Sequence, residues 1–247
     1  MDTNAVVQHI INWLKNYANK ANIGGFVVGV SGGIDSAVTS ILCAKTGLKV
    51  LCLEMPIHQA DSHVCRAQEH IRFLEKNYSN VSSKRVNLTP VFESLKSEID
   101  TTKDQKIVDM ALANTRARLR MTTLYYYAGL NGFLVAGTGN KVEDFGVGFY
   151  TKYGDGGVDI SPIADCNKTQ VWELGKELGI LNEIIEAAPT DGLWDDGRTD
   201  EGQLGFKYHE LEDAMVNPNS PHRENYEKIR NQNLHKMEPI PVCKIPN

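Results

Sequence analysis

The most informative stretch of the chain is VVGVSGGIDSA, at residues 27–37. A short apolar run leads into a Ser-Gly-Gly turn, and a helical pattern follows the turn. Such an apolar run is typical of a strand buried on both faces of a parallel sheet. Glycine lets backbone approach a ligand closely, and the free N–H groups at the start of a helix attract anions. The stretch therefore predicts a strand, a phosphate-binding turn and a helix.

Asp35 is an unusual residue for a simple phosphate-binding turn, because a carboxylate repels phosphate. Its presence makes sense if Mg²⁺ lies between the two, since Mg²⁺ prefers oxygen ligands. Aspartate is also favoured near the start of any helix, so an ordinary strand-to-helix turn is the alternative interpretation. Two better-known phosphate-binding patterns do not fit. The turn lacks the Gly-Lys-Ser/Thr ending of Walker A, and no Gly-x-Gly-x-x-Gly follows a predicted strand.

Strand patterns and helix patterns alternate along the rest of the chain. Helical periodicity fills the intervals between short apolar runs, which predict strands at 26–30, 49–55, 85–88 and 133–136. This alternation predicts an α/β fold with an open parallel sheet and helices on both faces.

The chain is expected to form a single domain over residues 1–247, since no repeat or linker divides it. Two segments are predicted to be mobile. Residues 79–105 mix polar residues with short elements, and residues 189–202 are acidic and contain glycine. The usual interpretation of the second segment is a solvated loop, and the alternative is a lid over a bound ligand.

Composition excludes several classes of protein. The chain has 26 Lys and Arg residues against 31 Asp and Glu residues, so a basic surface for nucleic acid is not expected. No apolar run approaches the roughly 18 residues of a membrane span. The first residues lack a signal sequence, and five cysteines without a Cys-x-x-Cys pair argue against a disulfide framework or zinc site. We therefore expect a cytoplasmic protein that binds neither nucleic acid nor membrane.

A second group of polar residues follows the predicted strand at 133–136. Thr138 and Glu143 lie in GTGNKVED, at residues 137–144. The carboxyl ends of parallel strands share a ligand-binding edge, so we expect both residues to face the same crevice as the glycine turn. The next run, GFYTKYGDGGVD at 148–159, is too rich in glycine and charge for a core element and predicts a binding loop.

These motifs resemble those of the ammonia-dependent NAD synthetases, which belong to a superfamily of ATP-dependent adenylating enzymes. The resemblance rests on SGGIDS, the Gly-Thr…Glu spacing, FYTKYGDGG and VDISP, and it extends to the His235-Lys236 pair. It implies a Rossmann-like fold of the adenine nucleotide alpha hydrolase type. It also implies amidation of deamido-NAD to NAD by ammonia through a nicotinyl adenylate, with release of AMP and pyrophosphate. Finally, it implies a homodimer whose nicotinate site includes both subunits.

The resemblance also assigns roles to single residues. Asp35 and Lys168 are implied in catalysis, and Asp35 and Glu143 in holding Mg²⁺. Glu143 is identified by counting five residues from Thr138; some family members have one residue fewer in this region, so Asp144 is the alternative. The implied ATP-binding residues are Gly29, Val30, Ser31, Gly32, Gly33, Ile34, Asp35, Ser36, Thr138, Lys168 and Thr190. The implied deamido-NAD-binding residues are Arg118, Lys152, Asp159, His235 and Lys236.

Three arginines on one predicted helix test this assignment. At about 100° per residue, Arg116 and Arg120 share a face, whereas Arg118 points about 200° away from Arg116. The three are therefore not expected to form one basic patch.

Two other functions remain compatible with the glycine turn. One is a different adenylating ligase, such as the amidating subunit of a GMP synthetase, and the other is a nucleotide-binding sensor without turnover. The length leaves no room for an additional amide-hydrolysing domain, so free ammonia, or ammonia from a partner, is the expected nitrogen donor.

Overall fold

The computed structural model describes residues 1–100, 102–194 and 198–246. Within them, four parallel strands form one sheet in the order β3-β2-β1-β4. The prediction of an α/β fold with a parallel sheet is confirmed. The strands are β1 (Gly25–Gly29), β2 (Lys49–Glu54), β3 (Val81–Arg85) and β4 (Leu134–Val135).

Helices occupy most of the remaining described residues. They are α1 (Thr3–Lys20), α2 (Ile34–Lys45), α3 (Asp61–Asn77), α4 (Thr89–Glu98), α5 (Gln105–Asn131), a π-helix (Lys141–Val147), α6 (Lys168–Glu177), α7 (Asn182–Ile185), α8 (Asp200–Leu204), α9 (Tyr208–Val216) and α10 (Arg223–Met237). No helix in the described part of the chain is both long enough and apolar enough to cross a membrane.

The central strand β1 supplies side chains to two cores. Phe26 and Val28 pack with residues of α1, α2, α3 and α6 on one face of the sheet. Val27 points to the other face and packs with residues of α4 and α5. Successive side chains of a strand alternate between faces, so a strand covered on both sides must be apolar throughout.

The strand predicted at 85–88 is misplaced. The observed strand β3 runs from Val81 to Arg85, pairs with β2 only and forms an edge of the sheet. Its Ser82, Ser83 and Lys84 residues are exposed. An edge strand tolerates polar and charged side chains, so a search for apolar runs shifts the prediction toward Val86 and Leu88.

The topology creates a crevice beside β1. The chain passes from β1 to β2 on one side, while β4 pairs with the other side of β1. At such a switch point the connections leave in opposite directions and open a space beyond the carboxyl ends of the strands. The glycine turn after β1 and the residues after β4 both lead into that space.

The two segments predicted to be mobile contain regular structure. Residues 79–105 include β3 and α4, and Thr101 lies outside the described residues. Residues 189–202 include the start of α8, and residues 195–197 lie outside the described residues. The mobility of both segments stays a prediction.

Candidate active site

A cavity lies at the carboxyl end of β1. Its wall is built by the glycine loop (residues 31–36) apart from Gly32, by residues of α3, α5 and the π-helix, and by residues 187–193. Leu53, Met55 and Leu124 supply apolar surface. The charged side chains of Asp35, Glu143, Lys168 and Asp200 also line the cavity.

The glycine loop is shaped by its backbone. Gly32 has φ +85°, and a Cβ there would lie 2.6 Å from the carbonyl oxygen of His63, so only glycine fits. The hydroxyl of Ser36 donates to the Gly33 carbonyl at 2.9 Å and accepts the Ser31 N–H at 3.2 Å. Helix α2 begins at Ile34 without a side-chain cap. Its first N–H groups therefore suit an anionic ligand.

Lys168 links two carboxylates that lie far apart in sequence. Its Nζ donates to Asp35 Oδ2 at 2.5 Å and to Glu143 Oε1 at 2.9 Å, and the side chain is 1% exposed. Asn140 holds the same pair together. Its amide nitrogen donates to Asp35 Oδ1 at 3.1 Å, while its oxygen accepts the Glu143 N–H at 3.1 Å. The result is a rigid group of one cation and two carboxylates.

Burial and mutual charge set the protonation of this group. Burial alone would lower the pKa of Lys168, but Asp35 and Glu143 outweigh it and raise that pKa. Burial and the negative charge of Glu143 raise the pKa of Asp35, although the positive charge of Lys168 acts in the opposite direction. For Glu143, Lys168 and the Tyr208 hydroxyl outweigh burial and lower the pKa. Lys168 therefore stays charged beside an ionised Glu143.

Two other carboxylates lie in the same cavity without sharing Lys168. Partial desolvation beside the cavity raises the pKa of Asp155 to about 6, so this group can exchange a proton near neutral pH. Burial and nearby carboxylates raise the pKa of Asp144 well above its usual value. The Asp144 side chain packs on Gly139, where no Cβ would fit. Glu143, rather than Asp144, is the carboxylate that joins Asp35 through Lys168.

Most of the predicted ATP-binding residues meet at this cavity. Gly32 does not line the cavity, because it packs against the start of α3. The residues that line it are Gly29, Val30, Ser31, Gly33, Ile34, Asp35, Ser36, Thr138, Lys168 and Thr190.

The predicted deamido-NAD-binding residues lie outside the cavity wall. Four of them form what we call the rim cluster: Arg118, Lys152, His235 and Lys236. Arg118 Nε donates to the Lys152 carbonyl at 3.3 Å, and Lys152 Nζ donates to the His235 carbonyl at 2.8 Å. Lys236 Nζ donates to the carbonyl of Tyr150 at 2.8 Å. The cationic groups are thus held by neutral carbonyls.

Asp159 is separate from the rim cluster. Its Oδ2 accepts the Val135 N–H at 2.8 Å, and its Oδ1 accepts the Tyr125 hydroxyl at 3.0 Å. Both oxygens are engaged within the chain, where they join β4 to α5.

The predicted separation of the three arginines is confirmed. Arg116 Nη1 donates to the Leu193 carbonyl at 2.8 Å, and Arg120 Nε donates to the Met55 carbonyl at 3.1 Å. Both carbonyls belong to residues of the cavity wall. Burial and the charge of Arg116 lower the pKa of Arg120 to about 10. Arg118 is exposed and belongs to the rim cluster.

Sequence reasoning missed two residues of the charged group. The Tyr208 hydroxyl donates to Glu143 Oε1 at 2.6 Å and lies 3.4 Å from Asp200 Oδ2. Burial raises the pKa of Asp200 to about 8, and the charge of Glu143 acts in the same direction. Asp200 was visible only as part of an acidic segment, although Thr199 before it is a good helix cap. The sequence did not indicate a role for Tyr208 at the site, since a tyrosine before an apolar periodic run is typical of core packing.

Comparison with known proteins identifies the family. The NAD synthase family matches residues 6–244 of the chain. The NH₃-dependent NAD⁺ synthetase of Carboxydothermus hydrogenoformans is 39% identical over 215 residues, which cover 85% of this chain and 84% of that protein. The enzyme of the same name from Finegoldia magna is 38% identical and covers 94% of this chain and 92% of its own.

A solved structure supports the same relationship. The NMN synthetase of Francisella tularensis superposes with a TM-score of 0.87 at 32% identity. The match covers 100% of this chain and 99% of that one. Sequence and fold agree, and the chain belongs to the NAD synthase family.

Proposed function

We propose that the protein is an ATP-dependent ligase that amidates deamido-NAD to NAD with ammonia. Relatives at 38–39% identity are named NH₃-dependent NAD⁺ synthetases. The observation that carries the proposal is the group formed by Asp35, Glu143 and Lys168, which lies in one cavity with the glycine loop. A phosphate-binding loop next to a carboxylate pair is what a metal-bound triphosphate needs.

Asp35 and Glu143 are the residues that would hold Mg²⁺. Their donor set fits, because carboxylate oxygens are preferred ligands of Mg²⁺. The pair already encloses a cationic group, the ammonium of Lys168. When bound with ATP, Mg²⁺ supplies positive charge that offsets the negative charge of the triphosphate. Lys168 supplies a second positive charge from the protein itself.

The proposed chemistry has two stages. A carboxylate is a poor electrophile, so an oxygen of the substrate carboxylate first attacks the α-phosphorus of ATP, and pyrophosphate leaves. The product is a nicotinyl adenylate. Ammonia then attacks the carboxyl carbon, and AMP leaves with the former carboxylate oxygen. The glycine loop and Lys168 would bring anions together in the first stage, and Asp155 of the cavity wall would accept a proton in the second.

We infer that the protein acts as a homodimer. Helix α5 carries large apolar side chains that a folded monomer would leave in water, and α5 also supplies Arg118 of the rim cluster. The rim cluster then lies close to a surface that a second copy could cover. The most exposed of these apolar residues are Ile107 at 63%, Tyr126 at 64% and Leu130 at 67%.

The cytoplasm is the proposed compartment. All five cysteines are free thiols, which suits a reducing environment.

A second candidate substrate is the acid mononucleotide, which would yield NMN instead of NAD. The full-length match to the Francisella tularensis NMN synthetase favours it. Both substrates present the same nicotinate carboxylate, so the chemistry at Asp35, Glu143 and Lys168 would be identical.

Purified protein with ATP, Mg²⁺ and ammonium tests these assignments. Pyrophosphate release is measured with deamido-NAD, with nicotinate mononucleotide and with XMP, and amide products are identified by mass spectrometry. We expect the fastest turnover with deamido-NAD. Faster turnover with the mononucleotide would establish the second candidate, and turnover with XMP alone would contradict both.

A further inference from the structure

Tyr208 contacts the charged group of the cavity, although it belongs to none of the predicted ligand sets. It is the first residue of α9 and is 2% exposed. Its hydroxyl donates to Glu143 Oε1 at 2.6 Å, and Lys168 Nζ lies 5.0 Å from the centre of its ring. The ring also packs edge-on against Trp172, with centroids 5.8 Å apart. The side chain is therefore fixed by packing and touches two members of the group.

The Tyr208 hydroxyl helps to set the orientation of the Glu143 carboxylate. Lys168 Nζ approaches the same atom, Oε1, at 2.9 Å from α6. Two donors from different elements thus hold one carboxylate oxygen. A glutamate side chain has several rotatable bonds. Two hydrogen bonds to Oε1 restrain these bonds and so fix the orientation of the carboxylate.

Two carboxylates, Glu143 and Asp200, compete for the hydrogen bond that the Tyr208 hydroxyl donates. A phenol hydroxyl donates one hydrogen bond. The distance to Asp200 Oδ2 is 3.4 Å, against 2.6 Å to Glu143, so the proton points to Glu143. Asp200 is 4% exposed, and among the described residues its Oδ1 has no hydrogen-bond partner. The Tyr208 hydroxyl therefore donates its hydrogen bond to Glu143. Asp200 lines the cavity without that hydrogen bond.

We infer that Tyr208 is a positioning residue that acts through Glu143 and sets how well the cavity holds the divalent cation that accompanies ATP. The inference rests on the proposed function in assigning Glu143 to that cation. A hydrogen bond to a charged group in a buried site contributes enough to change cation affinity about ten-fold.

The test compares Tyr208→Phe with Tyr226→Phe. Tyr226 is a second buried tyrosine of the same small core cluster, on α10, and among the described residues it donates no hydrogen bond to Glu143. Mn²⁺ binding is measured by electron paramagnetic resonance in the presence of a non-hydrolysable ATP analogue. In parallel, turnover is measured against Mg²⁺ concentration, and the melting temperature reports folding.

We expect Tyr208→Phe to weaken Mn²⁺ binding about ten-fold and to raise the Mg²⁺ requirement equally. The KM for the acid substrate should not change, and Tyr226→Phe should behave as wild type. Glu143→Gln provides a second test: in that background Tyr208→Phe should cause no further loss of Mn²⁺ binding.

Wild-type Mn²⁺ affinity in Tyr208→Phe would overturn the inference, as would equal losses in both tyrosine variants. A full further loss in the Glu143→Gln background would overturn it too, because Tyr208 would then act by another route. If the wild type bound no Mn²⁺ with the analogue, the metal assignment of the proposed function would fail together with the inference.

Discussion

The cavity and the rim cluster are built in different ways. In the cavity, Lys168 is 1% exposed and pairs with two carboxylates of its own chain. In the rim cluster, Lys152 Nζ has a neutral carbonyl as its partner, and Arg118 is exposed. A buried cation needs its counter-charge before the ligand arrives, because an isolated charge is costly to bury. An exposed cation is solvated by water, so it needs no counter-charge before its anion binds.

This difference separates two tasks. The charged group of the cavity is assembled from residues of one chain and is suited to hold a triphosphate in a fixed geometry. The rim cluster offers the positive charges of Arg118 and Lys152, whose donor groups contact backbone carbonyls, next to the exposed apolar side chains of α5. We therefore expect changes in the cavity to affect the chemical step and changes at the rim to affect binding of the acid substrate or assembly of the dimer.

The largest effect is expected from Asp35→Asn in the cavity. The change removes one of the two carboxylates around Lys168, and turnover should fall about 1,000-fold or more. Steady-state kinetics measures the loss, and the melting temperature verifies folding. Asp165→Asn is the control, since the Asp165 side chain is 97% exposed. Turnover of Asp35→Asn within a few-fold of wild type would contradict the assignment of Asp35 as a Mg²⁺ ligand.

The second largest effect is expected on assembly. Leu130→Glu places a charge on the apolar face of α5 and should raise the dissociation constant of the dimer about 100-fold. Light scattering coupled to size-exclusion chromatography measures this change. Val216→Glu, at a 78% exposed position on α9, is the control. A Leu130→Glu dimer of wild-type stability would place the interface elsewhere.

Lys152→Ala at the rim should act on binding. We expect the KM for the acid substrate to rise about 30-fold, because a charge-assisted contact is lost, while the KM for ATP stays the same. Lys176→Ala on α6 is a matched surface control. Equal loss for both substrates would indicate a structural role for Lys152 and would weaken the distinction between the two regions.

The smallest expected effect is a pH dependence that belongs to the cavity. The pKa of Asp155 is raised to about 6, so below that pH its carboxylate is protonated and no longer accepts a proton. At constant free ammonia, kcat should fall about ten-fold for each pH unit below 6. Lys152→Ala should keep the same pH profile. A profile that is flat between pH 5 and 7 would contradict the role of Asp155.

The sequence predicted the parts of the site that depend on local structure. The glycine turn, the start of α2 and the opposite directions of Arg116 and Arg118 follow from backbone geometry over a few residues. The contacts of Lys168 with Asp35 and of Tyr208 with Glu143 join residues more than 60 positions apart, and no local pattern reports them. The position of the polar edge strand β3 was predicted wrongly for a related reason, since that position depends on pairing with β2.

The most direct test of the central claim follows the oxygen of the substrate carboxylate. The acid substrate is labelled with ¹⁸O at both oxygens of that group and converted with ATP and ammonium, and the AMP is analysed by mass spectrometry. If the carboxylate is adenylylated in the cavity, each AMP acquires one ¹⁸O atom from the substrate. Amide formation with unlabelled AMP would show that no adenylate forms and would contradict the account.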